Sequence, residues 1–386
     1  MNVEYGKPAI FVKSAIPERW RFCLSIAVST SMLCRLSLVQ RKQLVYRWFR
    51  LNHPDSGEGL MNIDLHSHFF PVEALQSPGR YESRAPKLVL ENDKLSVTTQ
   101  IGVRAGLGAG AYDPAARIQA LDQMSIDLQA ISPSPILLFY WEEPDVAAHF
   151  SRRQNEAIQT VVQKFPDRFV GFGSVPLQSI PQAIAIAEEA KSMGLRGLEI
   201  GNAVGEKPLD DASFEPFFTA AQKLDLLLFV HPLEGGLDSG DPVAPILGNV
   251  LQFTYRTTMM IERMIIKGMF ERFPNLRLCL SHGGGLLAFN IWRLDHSYGL
   301  RPELKRAVPR KPSEYLQRLY FDTIVHSVAA LEFLIKIVGA DRVVIGTDYP
   351  MAMGDFEPVK KLAEANLTVT EREQVLGQNS LRALGL

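Results

Sequence analysis

Residues 63–68 read Ile-Asp-Leu-His-Ser-His, and this stretch decides the fold. The apolar run that opens at Met61 predicts a β-strand, and two histidines stand at its end. Seven further β-rich runs follow and alternate with amphipathic stretches whose apolar residues recur at three and four positions. The eight predicted strands cover residues 61–66, 127–134, 168–177, 195–202, 226–232, 277–283, 319–325 and 342–350.

Eight β/α units over roughly 320 residues predict an α/β protein with a (β/α)8 TIM barrel, because parallel strands need helical crossovers. A doubly wound sheet would instead need a glycine-rich phosphate turn after its first strand, and the sequence has none there. Residues 79–112 interrupt the alternation. Within them, residues 87–103 predict a small β insertion, and residues 102–110 predict a flexible glycine-rich loop.

The composition excludes several classes of protein. The 386 residues include 41 Lys+Arg, 42 Asp+Glu and 46% hydrophobic residues, which argues against a disordered chain and against a basic nucleic-acid binder. The cysteines Cys23, Cys34 and Cys279 are too few for a disulfide framework, so we expect a cytoplasmic protein. We expect no membrane span, because serines and Arg35 interrupt the nearest candidate, residues 23–39.

Residues 1–60 differ from the rest in charge, with nine Lys/Arg against four acidic residues. They end in a turn-rich segment, residues 53–59. We therefore predict an N-terminal extension outside a catalytic domain of residues 61–386. An alternative is a membrane-surface or partner-binding arm, because residues 35–50 are basic with interleaved apolar side chains.

Polar side chains stand at the carboxyl ends of four predicted strands. His66 and His68 end the first strand, His231 the fifth, His282 the sixth and Asp348 the eighth. One such histidine alone is more often a core or surface residue, but the carboxyl ends of barrel strands meet at one mouth, so the set predicts a shared site. Strand residues two apart project to the same side, and imidazoles with a carboxylate suit zinc, manganese or iron.

The sequence resembles the amidohydrolase-related metal enzymes, and within them the α-amino-β-carboxymuconate-ε-semialdehyde decarboxylase group. The resemblance runs from Met61 almost to the C-terminus and does not include residues 1–60. It rests on Asp-Leu-His-Ser-His-Phe-Phe-Pro at 64–71, Asp-Pro-Ala-Ala-Arg-Ile at 113–118, Val-Pro-Leu-Gln at 175–178, Ile-Gly-Asn at 200–202, Val-His-Pro at 230–232, Ser-His-Gly-Gly-Gly at 281–285, Pro-Ser-Glu-Tyr at 312–315 and Gly-Thr-Asp-Tyr-Pro at 346–350.

The resemblance implies a metal-dependent decarboxylase of a small unsaturated or aromatic carboxylic acid. It implies one divalent ion, zinc or in some relatives manganese, held by His66, His68, His231 and Asp348. It assigns His282, as acid/base, and Asp348 to the catalytic centre. It also implies that Arg104 and Arg293 bind the substrate carboxylate, one of them from the neighbouring subunit of a homodimer.

Two departures and several alternatives stay open. Residues 241–258 contain no Trp where the semialdehyde decarboxylases have a Trp-rich stretch. Glu199 stands where an amide is common; it could face the site as an extra ligand or base, or face a helix and pair with a basic residue. The same metal centre could serve a hydrolase of an amide, ester or lactone, or a hydratase. A non-catalytic metal-binding protein is a further alternative, against which the presence of His282 argues.

Overall fold

The computed structural model describes residues 61–76, 79–233 and 243–386. Fourteen strands occur in this part of the chain, and most belong to one parallel sheet. The strands are β1 (Ile63–Asp64), β2 (His68–Phe69), β3 (Lys87–Glu91), β4 (Lys94–Thr99), β5 (Gly102–Leu107), β6 (Leu128–Pro133), β7 (Phe169–Gly173), β8 (Gly197–Gly201), β9 (Ala203–Val204), β10 (Lys207–Pro208), β11 (Leu227–His231), β12 (Arg277–Leu280), β13 (Leu319–Asp322) and β14 (Val343–Val344).

The parallel sheet closes on itself. Its strand order is β1-β6-β7-β8-β11-β12-β13-β14, with β2 also paired to β6. Parallel bridges from Asp64 to Ile345 and from Ser67 to Tyr349 join the first strand region to the last. The predicted (β/α)8 barrel is therefore confirmed.

The strands alternate between the barrel interior and the surrounding helices. In β11, Leu227 and Phe229 belong to an apolar cluster inside the barrel, while Leu228 and Val230 belong to the cluster beneath the helices. His231 continues the interior series because side chains two apart in a strand share a face. The inward-facing side chains of this strand are therefore apolar in the lower part of the barrel and polar at its mouth.

Helices connect the strands and cover the outside of the barrel. Many begin with a proline in the first turn, and Asp113 also caps its helix by accepting the backbone N–H of Ala115 at 2.9 Å. The α-helices are α1 (Val72–Gln76), α2 (Pro114–Gln123), α3 (Pro144–Lys164), α4 (Ile180–Ser192), α5 (Glu215–Lys223), α6 (Ala244–Leu247), α7 (Phe253–Ile266), α8 (Met269–Arg272), α9 (Leu287–Leu300), α10 (Pro302–Ala307), α11 (Val328–Val338), α12 (Pro358–Glu364), α13 (Val369–Glu373) and α14 (Asn379–Leu384).

The predicted β insertion is present, but the predicted loop at residues 102–110 is wrong in its first part. Residues Gly102–Leu107 form β5, which pairs antiparallel with β4 in a three-stranded sheet with β3. Glycine lowers the strand propensity of this segment, and pairing with β4 outweighs that preference. Arg104 consequently lies on a strand.

The first barrel strand is shorter than predicted and is interrupted. The side chain of Asp64 accepts the backbone N–H of His66 at 2.9 Å, which removes that group from the strand ladder. Regular pairing stops after β1 and resumes at β2. The two histidines therefore lie at an irregular point of the strand.

No helix in the described ranges is long and apolar enough to cross a membrane. The predictions about residues 1–60 fall outside the described residues. From Leu60 onward the chain forms one compact unit, which contains every predicted site residue.

Candidate metal centre

Four predicted ligands converge at the mouth of the barrel. One donor atom from each of His66, His68, His231 and Asp348 lies within 4.8 Å of the others, and all four residues are buried. Nε2 of His66 is 3.3 Å from Nε2 of His68, and Oδ1 of Asp348 is 3.0 Å from Nε2 of His68. The structure thus brings together side chains from the first, fifth and last barrel strands.

Two of the three imidazoles are oriented by a hydrogen-bond partner at the Nδ1 atom. His231 donates from Nδ1 to the carbonyl oxygen of Pro232 at 2.8 Å, which leaves Nε2 free of a proton. Nδ1 of His66 contacts Oδ2 of Asp322 at 2.6 Å, and Nδ1 of His68 lies 3.5 Å from Oε2 of Glu199. The partners of His231 and His66 direct the Nε2 atoms of these two rings towards the cluster.

The carboxylate of Asp348 is held by its backbone. Asp348 has a left-handed φ of 54°, and its N–H donates to the carbonyl oxygen of His66 at 2.8 Å. A non-glycine residue in this region is strained, and such strain persists where the surrounding structure fixes it. The bond to His66 joins the two ligands through their backbones.

The electrostatics of the cluster favour bound positive charge. Burial lowers the pKa of an imidazole, but the charge of Asp348 and the hydrogen bond to Asp322 outweigh it and raise the pKa of His66 to about 10. Burial likewise raises the pKa of a carboxyl, yet the neighbouring imidazoles hold the pKa of Asp348 well below its usual range. The buried carboxylates therefore attract either protons or a metal ion.

The donor set fits one divalent metal ion. Tetrahedral ligands about 2.1 Å from an ion are separated by about 3.4 Å, and the measured separations of 3.0–3.4 Å between Asp348, His66 and His68 match that spacing. Oδ1 of Asp348 is buried and has no hydrogen-bond partner within the described residues. A buried carboxylate oxygen of this kind calls for a cation.

His282 lies beside the cluster and outside its four donor atoms. Its Nε2 is 3.9 Å from Oδ2 of Asp348, and its ring centroid is 4.9 Å from that of His231. Its backbone N–H donates to Oδ2 of Asp322 at 2.8 Å, and its φ is 55°. His282 is thus placed at hydrogen-bonding range of a molecule bound next to the cluster.

A cavity of about 330 Å³ opens over these residues. It is lined by His68, His231, His282 and Asp348, and Arg104 reaches it from β5. His326, which the sequence places after the seventh strand without a role, also lines it with a left-handed φ of 53°. Imidazoles and a guanidinium on the walls make the cavity suitable for an anion.

Arg293 does not line this cavity. It lies on α9 with its side chain exposed, and it is not among the described residues that line the cavity. The structure therefore joins Arg104, but not Arg293, to the centre of the same chain.

Three functional candidates escaped the sequence analysis or were left open by it. Asp322 was missed because the predicted strand runs to residue 325; in the structure Asp322 ends β13, as His231 ends β11. Arg117 was missed as well; it is fully buried and donates to the carbonyl oxygens of His68, at 2.9 Å, and Tyr349, at 3.0 Å. Glu199 faces the barrel interior, so the interpretation in which it faces a helix is wrong. Its neighbours Leu198 and Ile200 pack beneath the helices instead.

Comparison with known proteins identifies the family of the chain. The amidohydrolase family profile matches residues 63–386. The chain is 32% identical over 332 residues to 2-amino-3-carboxymuconate-6-semialdehyde decarboxylase of Dictyostelium discoideum, covering 84% of this chain and 92% of that protein. It is 26% identical to gamma-resorcylate decarboxylase of Polaromonas, covering 67% of this chain and 82% of that protein.

A solved structure shares the fold. This is 5-carboxyvanillate decarboxylase of Novosphingobium aromaticivorans, in complex with manganese, with a TM-score of 0.72 and 23% identity over 86% of this chain and 97% of that one. The chain belongs to the amidohydrolase family. Within it, the chain falls in the aminocarboxymuconate-semialdehyde decarboxylase-like group of metal-dependent carboxy-lyases, as the sequence predicts.

Proposed function

We propose that this protein is a zinc-dependent decarboxylase of a small unsaturated or aromatic carboxylic acid and that it acts as a homodimer. The observation that carries the proposal is the convergence of three imidazole Nε2 atoms and one carboxylate beneath a cavity that Arg104 and His282 also line. Three nitrogen donors and one oxygen donor suit zinc, with manganese as the alternative.

The proposed roles divide between binding and proton transfer. His66, His68, His231 and Asp348 would hold the ion, which supplies Lewis-acid polarisation of a substrate oxygen when it is bound. Arg104 would orient the substrate carboxylate through paired N–H donors. His282 would hold the proton that the reaction consumes.

The reaction exchanges a carboxylate for a proton. His282 donates its proton to the unsaturated carbon that carries the carboxylate. The C–C bond to the carboxylate then breaks, CO2 leaves, and the electron pair of that bond restores the double bond. Solvent returns a proton to His282, so one proton is consumed for each CO2 released.

The exposed face of α9 supports the homodimer. Phe289 and Trp292 are 77% and 52% exposed. Phe289 stands three positions before Trp292 and four before Arg293, which places the three side chains on one side of the helix. Large aromatic side chains beside an exposed cation are typical of an interface. A second copy on this face would bring its Arg293 towards the cavity.

The test is an assay of the purified, zinc-loaded protein against unsaturated and aromatic carboxylic acids and their methyl esters. Released CO2 and organic products are measured together, with the His282→Ala variant as the matched control. We expect CO2 release from acids alone. Ester or amide cleavage without CO2 release would establish a hydrolase instead, and water addition without CO2 release would establish a hydratase.

Two further proposals carry over from the sequence. The scarcity of cysteine supports a cytoplasmic location. The charge change near residue 60 supports an extension outside the catalytic domain.

A further inference from the structure

A second buried carboxylate lies behind the metal centre without a role in the chemistry above. Glu199, on β8, is fully buried, and the alternation of that strand turns it into the barrel. No arginine or lysine among the described residues forms an ion pair with it. A buried carboxylate without a cationic partner is costly, so its retention calls for a compensating interaction.

The contacts of Glu199 lead to His68. Oε2 of Glu199 lies 3.5 Å from Nδ1 of His68, and the hydroxyl of Ser132 donates to the same oxygen. Ser132 is the register partner of His68 in the pairing of β2 with β6, and its hydroxyl oxygen is also 2.9 Å from the carbonyl oxygen of Ser67. The carboxylate is thereby tied to the strand pair that carries the ligand.

The position of Glu199 excludes it as a fifth ligand of the same ion. The Nε2 atom of His68 faces Asp348 at 3.0 Å, whereas Glu199 approaches Nδ1 on the other side of the ring. His66 has the same arrangement, with Asp348 near Nε2 and Asp322 at Nδ1. Glu199 thus corresponds in position to Asp322 and not to Asp348.

We propose that Glu199 is a positioning residue for the metal centre. Its carboxylate accepts the Nδ1–H of His68, which fixes the tautomer with a free Nε2 and holds the ring towards the ion. The added negative charge makes the imidazole a better donor. Ser132 holds the carboxylate in place. This inference rests on the proposed metal centre and adds two residues to it.

The first experiment measures zinc affinity by competition with a chromophoric chelator for Glu199→Gln, Glu199→Leu and Ser132→Ala. Partners of this kind are typically worth about 10–100-fold in metal affinity, so we expect that loss for Glu199→Leu. Glu199→Gln keeps an acceptor but no charge and should lose less. Ser132→Ala should lose least. Equal zinc affinity in all variants and the parent protein would overturn the inference.

Phe217→Leu is the matched control for a general loss of stability. Phe217 is fully buried on α5, in the apolar cluster beneath the helices and not inside the barrel. We expect this variant to melt at a lower temperature with zinc affinity unchanged. A parallel loss of zinc affinity in Phe217→Leu would show that the effect at Glu199 is general destabilisation, and would overturn the inference.

Cobalt substitution tests the geometry independently of activity. The visible spectrum of bound cobalt reports its coordination number. Because Glu199 lies outside the ligand set, we expect cobalt in the Glu199→Gln protein to have the same coordination number as in the parent protein. A change in coordination number would make Glu199 a ligand and overturn the inference. Failure of the parent protein itself to bind zinc or cobalt would instead remove the proposed metal centre.

Discussion

Oδ2 of Asp322 lies 2.6 Å from Nδ1 of His66 and 2.8 Å from the backbone N–H of His282. One carboxylate oxygen therefore orients a proposed ligand and fixes the backbone of the proposed proton donor. The other oxygen, Oδ1, accepts the N–H of Gly283 at 2.7 Å. The relative position of metal centre and proton donor depends on this single side chain.

Asp322→Ala should weaken both functions. Loss of the acceptor at His66 is expected to lower zinc affinity about 10–100-fold. Loss of the bonds from Asp322 to the backbone N–H groups of His282 and Gly283 should displace His282 and lower kcat even at saturating zinc. Chelator competition and steady-state kinetics measure the two effects. Asp210→Asn is the control, because Asp210 pairs with Arg263 and Lys267 away from the site and should affect stability alone.

His282→Ala should keep the ion and lose most of the activity. Its Nε2 is 3.9 Å from Asp348 and is not among the four convergent donor atoms. General acid–base groups commonly contribute roughly 10²–10⁴-fold to the rate. Elemental analysis with kinetics decides the matter; loss of zinc together with activity would make His282 a ligand.

Zinc binding should release protons. The pKa of His66 in the ion-free protein is raised from 6.5 to about 10, so this imidazole is protonated at neutral pH and must lose its proton to coordinate zinc. Apparent zinc affinity should therefore rise with pH up to about 10 and fall in acid. Calorimetry in buffers of different ionisation enthalpy measures the protons released, and identical heats in all buffers would contradict this expectation.

The same pKa sets the sign of the effect on folding. Because the pKa of His66 is raised above its unfolded value, protonation stabilises the ion-free protein fully below about pH 6.5. That contribution disappears as the pH rises through about 10. Thermal melts of chelator-treated protein across this range measure it.

Arg104→Ala and Arg293→Ala should each weaken catalysis strongly and leave the zinc content unchanged. If the site is shared across a homodimer, an equal mixture of the two variants should recover about a quarter of the activity, because half of the random dimers contain one intact site. Subunit exchange is first verified with differently tagged chains. Absence of recovery after verified exchange would mean that each chain builds its site alone.

A chain that starts at Met61 should fold and bind zinc like the full chain. The compact unit contains all barrel strands and all proposed ligands. Circular dichroism and elemental analysis compare the two proteins. Aggregation or zinc loss in the shorter chain would show that residues 1–60 take part in the catalytic fold.

The barrel was predictable from the sequence because its strands are local apolar runs with a regular order. Their carboxyl ends were not. The sequence extends the seventh strand to residue 325, yet regular pairing ends at Asp322, whose side chain accepts the N–H of Ile324 at 3.0 Å. At the mouth, side-chain oxygens accept backbone N–H groups that would otherwise bond to a neighbouring strand. Strand propensity does not predict where such side-chain bonds end a strand.

The side chains that orient the imidazoles could not be predicted from the sequence for another reason. His66 and Asp322 are 256 positions apart, so nothing in the sequence around either residue identifies the pair. The glycines around Arg104 predict a loop, whereas pairing with the partner strand β4 determines its conformation. Both cases depend on non-local contacts.

The closure of the barrel by its two ends also determines when the centre can form. Asp64 and Thr347, whose side chains are 2.6 Å apart at the closing seam, are separated by 283 positions. During synthesis the first histidines leave the ribosome long before Asp348, so a nascent chain holds an incomplete ligand set. The complete donor set is therefore available only to the nearly finished polypeptide, and we expect a chain that terminates before Asp348 not to retain the proposed ion.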